Sequence, residues 1–496
     1  MNSNRNQFFM IISDIRNQRW IVGSLTLVIA AIFISVGYLQ NGPGFPLDDA
    51  WIHQTYARNL AQSGQWEYLP GQQSAGSTSP LWTMLLSIGF LLGLKTPYLW
   101  TSILSTGMLI GIALVCNEIL QHLFKEMPVV GMASSLIIVL DWHLLWSAGS
   151  GMETLFYCLV CSYIFWILIS RKYWGWLGAL CGLIMWIRPD GITMLGPVLL
   201  IIGVQLWSHQ FRLKEGLLFV LPFIGLITLY GLFNYSISGS VWPNTFYAKQ
   251  IEYAQVLSLP LLARMGKIFL VPLSGAGLFL LPGFIVSIVM TFRKMDWWLL
   301  TLILWFFGFG LIYALRLPMT YQHGRYLIPL IPIFYLLGII GTVQGISRII
   351  TNITKGRNYS IFIGTVIGLV AIIFSVSGET ALVEDIKTID TLMVKPAVWI
   401  NENTEPDDVI AVHDIGAMGY FGERKIIDLA GLIQPELIPI IGKEHEIKRY
   451  LVKEKADYLV ILKDWYPGLN DFGEVVKTFN FDTKTGEATS EIRNLR

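Results

Sequence analysis

Long apolar runs separated by short polar stretches occupy most of the chain between residues 20 and 377. About 20 apolar residues in a helix are enough to cross the ~30 Å hydrocarbon core of a bilayer. The pattern predicts eleven membrane segments, at residues 20–39, 99–121, 129–147, 153–170, 173–187, 191–207, 216–235, 267–291, 297–315, 326–345 and 360–377. The predicted fold class is therefore a polytopic α-helical membrane protein.

One further apolar run, residues 80–94, spans only roughly 22 Å as a helix and leaves its placement open. If it stays at the outer surface or re-enters there, thirteen loop Lys and Arg residues lie on the cytoplasmic side and eight outside. If it crosses, the counts become ten and eleven. Because cytoplasmic loops carry the excess of Lys and Arg, the first arrangement is favoured. It predicts a large first outer loop over residues 40–98.

Both ends of the chain differ from this apolar region. Residues 1–19 are polar and lack a small-residue cleavage site, so they are predicted to be a cytoplasmic N-terminus followed by an anchor. After residue 378 the stretches "DDVIAVHDIGAMGYFGERKIIDLAGL" and "EIKRYLVKEKADYLVILKD" predict strand, turn, strand, and then an amphipathic helix leading into a strand. Residues 378–496 are thus predicted to form a soluble, extracytoplasmic α/β domain.

Composition agrees with a membrane protein and excludes some partners. Hydrophobic residues make up 54% of the chain and charged residues 14%, against about 25% charged in soluble domains. The net charge of +1 gives no indication of nucleic-acid binding. The four cysteines all lie inside apolar runs, where they are expected to pack as small hydrophobic residues and not to form disulfides or a metal site.

The first outer loop contains an unusual acidic pair. Asp48 and Asp49 open a predicted helix, "DDAWIHQTYARNLAQSG", and helix capping explains only one of them. Asp49, His53 and Tyr56 follow the spacing i, i+4, i+7 and so share one helix face, whereas Arg58 lies on another.

Other polar residues occur at four further places on the predicted outer face. They are Glu153 in "SGMET", Arg188 and Asp190 in "RPDG", Asn244 and Lys249 in "WPNTFYAK", and His323 and Arg325 in "HGRYLIPLIP". Each alone fits a turn, a helix start or an interfacial anchor. Together, however, the cations suit a phosphate and a carboxylate suits a general base. The set predicts group transfer from a phosphate-bearing lipid at the membrane surface.

These motifs, with "PLDDAWIHQTYARNLAQSGQWEYLPGQQSAGSTSPLW" and "HDIGAMGYFGERKIIDLAGL", run in order over nearly the whole chain. In this the chain resembles the GT-C superfamily of polyprenyl-phosphate-sugar-dependent glycosyltransferases, nearest to bacterial relatives of the mycobacterial cell-wall β-arabinofuranosyltransferase. The resemblance implies a catalytic base at Asp48 or Asp49 and a second acidic site at Glu153. It also implies a re-entrant or membrane-parallel helix after the first-loop acids, in agreement with the charge count.

The resemblance further implies donor-phosphate binding by outer-loop cations. The candidates are Arg188, Lys249, His323 and Arg325, and the acceptor-binding or supporting candidates are His53, Tyr56, Glu153, Asp190 and Asn244. No metal ligands are assigned; some relatives use a divalent metal, which the sequence leaves open.

The implied reaction is inverting transfer of a hexosyl or pentosyl group from a polyprenyl phosphate to a hydroxyl of a glycan, glycolipid or protein. It would take place on the extracytoplasmic face of a bacterial cytoplasmic membrane. The main alternative is a secondary transporter of a polar or anionic substrate, but transporters keep their ionisable residues near the midplane on broken helices. A non-catalytic scaffold built around the soluble tail is a third possibility, and it leaves the acids and cations unexplained.

Overall fold

A computed structural model describes residues 15–170, 173–350, 353–483 and 486–496. Most of the predicted cytoplasmic N-terminus, 1–19, lies outside these residues. The helices are α1 (Ile15–Asn41), α2 (Asp48–Ser63), α3 (Pro80–Leu91), α4 (Tyr98–Leu123), α5 (Pro128–Val139), α6 (Trp142–Gly149), α7 (Thr154–Ser170), α8 (Trp174–Leu183), α9 (Leu195–Trp207), α10 (Leu213–Ser238), α11 (Asn244–Glu252), α12 (Leu261–Leu270), α13 (Leu281–Lys294), α14 (Trp297–Arg316), α15 (Leu330–Ile349), α16 (Ile353–Ile389), α17 (Lys395–Asn403) and α18 (Glu444–Lys453). The strands are β1 (Glu67–Leu69), β2 (Gln72–Gln73), β3 (Val409–Val412), β4 (Lys425–Asp428), β5 (Tyr458–Leu462), β6 (Glu474–Thr483) and β7 (Gly486–Asn494).

The chain is a multi-pass helical membrane protein. Each of the eleven predicted membrane segments coincides with helix, and eight helices in the described residues are long and apolar enough to span a bilayer. Helices α5 and α6 meet at a bend of 55°, and only together are they long and apolar enough for a span. The bend falls at Asp141, whose carboxylate accepts the backbone N–H of His143 at 3.0 Å and so starts a new helix. Helix α7 and the helix formed by Trp174–Trp186 are apolar but shorter.

The segment predicted at 267–291 does not form one continuous helix. Helix α12 ends at Leu270, Pro272 follows, and Gly275 adopts a φ of 126° that disfavours other residues. The apolar helix resumes only at Ala276 and runs to Lys294. The hydrophobic pattern is unbroken across this region, so it does not reveal the break.

Helix α3 lies at one end of the bundle without crossing it. Tyr38, near the end of α1, lies 3.3 Å from Ser102 at the start of α4, measured between their hydroxyl oxygens. At the opposite ends of the same two helices, Arg19 pairs with Glu118 at 2.6 Å. Since α4 starts where α1 ends, the intervening α3 begins and ends on one side. Its 12 residues cover only about 18 Å.

The C-terminal part is a small sheet domain joined to the bundle by α16, which runs 12 residues beyond the predicted end at 377. The strand order is β4-β3-β5-β7-β6. Strands β3, β4 and β5 are parallel, while β7 pairs antiparallel with both β5 and β6. The sequence pattern predicts the three parallel strands but not the β6–β7 hairpin. Buried side chains of α2 and of this domain belong to one continuous hydrophobic core.

Candidate functional site

A cavity of about 540 Å³ lies where the ends of several helices meet on the side of α2 and α3. Its walls come from α2, the start of α7, the turn between α8 and α9, helix α11, the end of α14 and the turn before α15. The polar lining residues are Asp49, His53, Thr78, Glu153, Thr154, Arg188, Asp190, Thr193, Thr245, Lys249, Gln250, Tyr313, Arg316, Arg325 and Tyr326. Five separate sequence motifs therefore contribute to one cavity.

Asp49 lies in the first turn of α2 and forms ion pairs with two cations. Its Oδ2 accepts a hydrogen bond from Lys249 Nζ at 3.2 Å and another from the Arg325 guanidinium. Both cations also donate to the Tyr326 hydroxyl, Lys249 at 2.7 Å and Arg325 at 3.0 Å. Burial raises the pKa of Asp49, but the positive charges of Arg325 and Lys249 lower it more, to well below the usual range. Asp49 is therefore an anion held at the cavity wall.

Arg188 and Asp190 form a second charged pair in the same cavity. The two guanidinium nitrogens of Arg188 bind the carboxylate of Asp190 at 3.2 and 2.8 Å. The Tyr313 hydroxyl accepts from Arg188 at 2.7 Å and donates to Asp190 at 2.6 Å. The guanidinium also lies 4.9 Å from the centre of the Tyr157 ring. These contacts hold the Arg188 guanidinium in one orientation and balance its charge against that of Asp190.

Glu153 and His53 form the third polar group. His53 Nε2 lies 3.6 Å from Glu153 Oε2, and its Nδ1 lies 3.1 Å from Ser77 and 3.2 Å from Thr83, measured to the hydroxyl oxygens. Glu153 Oε2 is buried and has no hydrogen-bond partner among the described residues. Burial lowers the pKa of His53, although the neighbouring Glu153 opposes this. A buried carboxylate oxygen facing a cavity is an acceptor available to a hydroxyl group.

Four of the predicted site residues, Asp48, Tyr56, His323 and Asn244, lie outside the cavity lining. The carboxylate of Asp48 accepts the backbone N–H groups of Gly416 and Ala417 in the C-terminal domain, at 2.6 and 2.8 Å. Asp48 points away from the cavity although its neighbour Asp49 lines it, because consecutive residues of an α-helix lie about 100° apart around the helix axis. The Tyr56 hydroxyl lies 2.6 Å from the hydroxyl oxygen of Ser74.

His323 is the third residue outside the lining. Its Nε2 lies 2.7 Å from Asp385 Oδ2, and its ring contacts the edges of Trp142 and Trp146 at centroid distances of 5.2 and 5.1 Å. The backbone of His323 has a φ of 57°, which directs its side chain away from that of Arg325 only two residues later. Asn244 is the fourth residue outside the lining; its side-chain amide donates to the Leu432 carbonyl at 3.3 Å.

Sequence reasoning selects neither Tyr313 nor Tyr326, and it notes Arg316 at the mouth of a span without making it a phosphate-binding candidate. Tyrosine and arginine at span ends are ordinarily interfacial anchors, so their spacing carries no distinguishing signal. Tyr326 lies within the motif "HGRY", and this position next to Arg325 is the sequence feature that associates it with the site. Arg316 is exposed at the cavity rim and has no ion-pair partner among the described residues.

Part of the cavity lining is apolar. Trp242, Phe246, Ile312 and Leu317 contribute to it, and Phe246 is 43% exposed. The charged groups described above belong to the same lining. A ligand with a hydrocarbon chain and an anionic head group would find matching surfaces here.

The described residues do not provide a metal site of ordinary composition. No group of three or more His, Cys, Asp or Glu side chains lies close enough together to hold a metal ion. The cavity carboxylates of Asp49 and Asp190 are instead paired with Lys249, Arg325 and Arg188.

The fold is shared with known structures. ArnT from Cupriavidus metallidurans bound to undecaprenyl phosphate aligns with a TM-score of 0.55 and 11% identity, covering 95% of this chain and 98% of that one. The same protein in the apo state aligns with a TM-score of 0.58 and 12% identity, covering 95% and 97%. The chain therefore has the GT-C fold.

Sequence comparison adds one local match. A domain of unknown function, DUF8728, matches residues 384–492, which include the sheet domain and the end of α16. No curated protein matches the chain in sequence.

Proposed function

We propose that the protein is a glycosyltransferase that moves a sugar from a polyprenyl-phosphate donor to an acceptor hydroxyl, with inversion at the anomeric carbon. The observation that carries the proposal is the cavity in which Asp49 meets Lys249 and Arg325 and whose lining also contains apolar side chains. A lipid-linked sugar phosphate combines a hydrocarbon chain, an anion and a polyhydroxyl group, and this cavity offers a surface for each.

The donor phosphate binds to Lys249 and Arg325 in this proposal. Nε and Nη1 of Arg325 are buried and lack hydrogen-bond partners among the described residues, so the guanidinium has donors to spare. Phosphate oxygens accept such bonds in a bidentate manner, and charge-assisted bonds are the strong ones. The rim residue Arg316 adds positive charge to the same cavity, and Arg188, paired with Asp190, offers further N–H donors nearby. The fold shared with ArnT, whose structure contains undecaprenyl phosphate, supports this choice of lipid.

Asp49 is the proposed base, in preference to Asp48. In the reaction the acceptor oxygen attacks C1 of the donor sugar, its proton passes to Asp49, and the bond from C1 to the phosphate oxygen breaks. The polyprenyl phosphate leaves with the bonding electrons, and Lys249 and Arg325 stabilise its charge. Asp48 is directed into the C-terminal domain and cannot reach an acceptor in the cavity without a rearrangement of α2.

Donor binding also prepares the base. In the empty cavity the two cations keep the pKa of Asp49 well below its usual range, which makes it a weak proton acceptor. A phosphate that shares Lys249 and Arg325 reduces their effect on Asp49, and the pKa then rises toward the ordinary carboxyl value. Asp49 therefore becomes a stronger base when a donor is present.

Glu153 and His53 are proposed to orient the acceptor hydroxyl, which enters near the cavity edge formed by Leu432. The acceptor is a hydroxyl of a glycan, glycolipid or protein, and the charge bias of the loops supports a cavity on the extracytoplasmic face of a bacterial cytoplasmic membrane. The resemblance to β-arabinofuranosyltransferase relatives makes a pentosyl donor the first to test, beside a hexosyl donor.

The test uses purified full-length protein in lipid nanodiscs with radiolabelled polyprenyl-phosphate pentose or hexose and an envelope glycolipid extract. We expect label transfer by the wild type and its loss in Asp49→Asn, whereas Asp407→Asn, at an exposed acid of the C-terminal domain, stays active. Equal transfer by Asp49→Asn and wild type would refute the proposed base. Gradient-driven uptake by proteoliposomes, without any transfer, would instead identify a transporter.

A further inference from the structure

The C-terminal domain binds directly to the helix that carries Asp49. Asp48, the neighbouring residue, accepts the N–H of Gly416 at Oδ2 and the N–H of Ala417 at Oδ1, at 2.6 and 2.8 Å. Only 9% of Asp48 is exposed. The carboxyl oxygens thus satisfy two backbone N–H groups that would otherwise be buried without a partner. Burial and the neighbouring Asp414 raise the pKa of Asp48 to about 8. The contact therefore fixes the start of α2 against the segment after β3.

Two glycines allow this close approach. A Cβ added at Gly416 would lie 2.0 Å from the backbone carbonyl oxygen of Asp48, and one at Gly419 would lie 2.1 Å from the Tyr68 hydroxyl oxygen. The Tyr68 hydroxyl also donates to the carbonyl of Ile415. Backbone atoms cannot move aside as a flexible side chain would, so any larger residue at Gly416 must displace α2 or the domain.

The contact continues along α2. Arg58 donates to the carbonyls of Tyr420 and Gly419 at 2.8 and 3.3 Å, and its guanidinium lies 4.4 Å from the centre of the Tyr420 ring. The Trp51 ring lies 4.7 Å from that of Phe421, centroid to centroid. From Asp48 to Arg58 this covers about 15 Å of helix. On another face of the same helix, Asp49 and His53 line the cavity.

We propose that Asp48 is a positioning residue through which the C-terminal domain fixes α2 and thereby places Asp49 for proton transfer. The inference rests on the proposed function and extends it, because it makes the C-terminal domain a required part of the active site. Proton abstraction depends on placement within hydrogen-bond reach of the acceptor, and a displacement of about 1 Å can cost on the order of 100-fold in rate.

The experiment compares Gly416→Ala, Asp48→Asn and the double variant in the transfer assay, with Gly225→Ala as the control, since a Cβ there meets open space. We expect each single variant to lower kcat at least about 10-fold with less than a threefold change in donor binding. The double variant should be no worse than the poorer single one, because both changes disturb one contact. The pH dependence of the residual activity should match that of the wild type.

Hydrogen exchange measured by mass spectrometry provides a second, activity-independent readout. We expect faster exchange in both α2 and residues 414–421 in each variant, and no change in Gly225→Ala. Should Gly416→Ala fail to fold, Arg58→Lys serves instead, because it keeps the charge and loses the two-pronged contact with the Gly419 and Tyr420 carbonyls.

The outcomes separate this inference from the proposed function. If hydrogen exchange is faster in the variants but the wild type transfers no sugar, the proposed function is refuted and the contact between α2 and the C-terminal domain is upheld. If Gly416→Ala turns over at the wild-type rate, the inference is overturned, whatever the activity of Asp48→Asn. Loss in Asp48→Asn alone would identify Asp48 as the base.

Discussion

The carboxylate of Asp49 lies 3.2 Å from the ammonium nitrogen of Lys249, although 200 residues separate them in the chain. Arg325, a further 76 residues along the chain, binds the same carboxylate oxygen. The first turn of α2, helix α11 and the turn before α15 therefore meet at one point. The proposed chemistry depends on this meeting of one acid and two cations in a cavity that also has apolar lining residues.

Replacing Lys249 with Gln is expected to weaken donor binding by about 10- to 100-fold, because one charge-assisted hydrogen bond to the phosphate is lost. Binding of polyprenyl phosphate, measured by its displacement of a fluorescent lipid phosphate, tests this. Lys95→Gln, which removes an exposed cation outside the cavity, is the matched control. Equal weakening in both variants would show that the effect comes from general membrane-surface charge.

His323→Asn is expected to change donor binding less than about threefold, although His323 belongs to the same motif as Arg325. His323 contacts Asp385 and two tryptophans instead of lining the cavity. Asn tolerates the left-handed backbone found at this position, so the substitution isolates the side chain. A loss of donor affinity as large as that of Arg325→Gln would place His323 among the phosphate-binding residues.

The acid side of the pH profile should differ between kcat/KM and kcat. The former reports the free enzyme, in which Asp49 stays ionised far into the acid range because Arg325 and Lys249 lower its pKa. The latter reports the donor complex, in which the phosphate shares those cations. We expect kcat to fall at a pH at least about one unit higher than kcat/KM does. Coincident acid limbs would contradict donor-dependent activation of Asp49.

The contact between the C-terminal domain and α11 should weaken at alkaline pH. Burial lowers the pKa of His413, but its interaction with Glu252 at 3.6 Å and the nearby Asp414 and Asp428 raise it to about 9. Because the pKa of His413 is higher in the folded than in the unfolded protein, protonated His413 stabilises the fold. This contribution is full below the unfolded pKa of about 6.5 and is lost as the pH rises through 9. Burial raises the pKa of Asp414 to about 6, so its own effect on stability falls between about pH 4 and 6, below this range.

Thermal unfolding in nanodiscs between pH 6.5 and 9.5 tests this. The melting temperature of the wild type should fall as pH rises, and Glu252→Gln should have a lower melting temperature at pH 6.5 and a flatter profile. A wild-type profile that rises with pH would show that His413 is not stabilised in its charged form.

Much of the architecture follows from the sequence, because membrane spans are encoded by the length of apolar runs. All eleven predicted segments are helical, and charge bias alone indicates that α3 does not cross the bundle. The break between Leu270 and Ala276 is different, since Pro272 and Gly275 act within an uninterrupted apolar run. The β6–β7 hairpin has no apolar alternation to reveal it, because most of its β6 face is exposed.

The site is harder to predict at the level of single side chains. The sequence motif selects Asp48 and Asp49 equally. A difference of one position along the helix nevertheless places Asp49 in the cavity lining and Asp48 against Gly416. The same holds for His323 and Arg325, which a left-handed turn separates. Spacing along a helix gives the relative direction of two side chains, but the neighbouring elements that receive them are determined only by the tertiary fold.

The most direct test of the central claim is the single-turnover rate of Asp49→Asn with bound polyprenyl-phosphate sugar, measured together with donor affinity. We predict a rate about 10²- to 10⁴-fold below that of the wild type. Donor affinity should be equal or higher, because removing the carboxylate frees Lys249 and Arg325 for the phosphate. A variant that transfers sugar within twofold of the wild-type rate, or that loses donor binding instead of chemistry, would contradict the account.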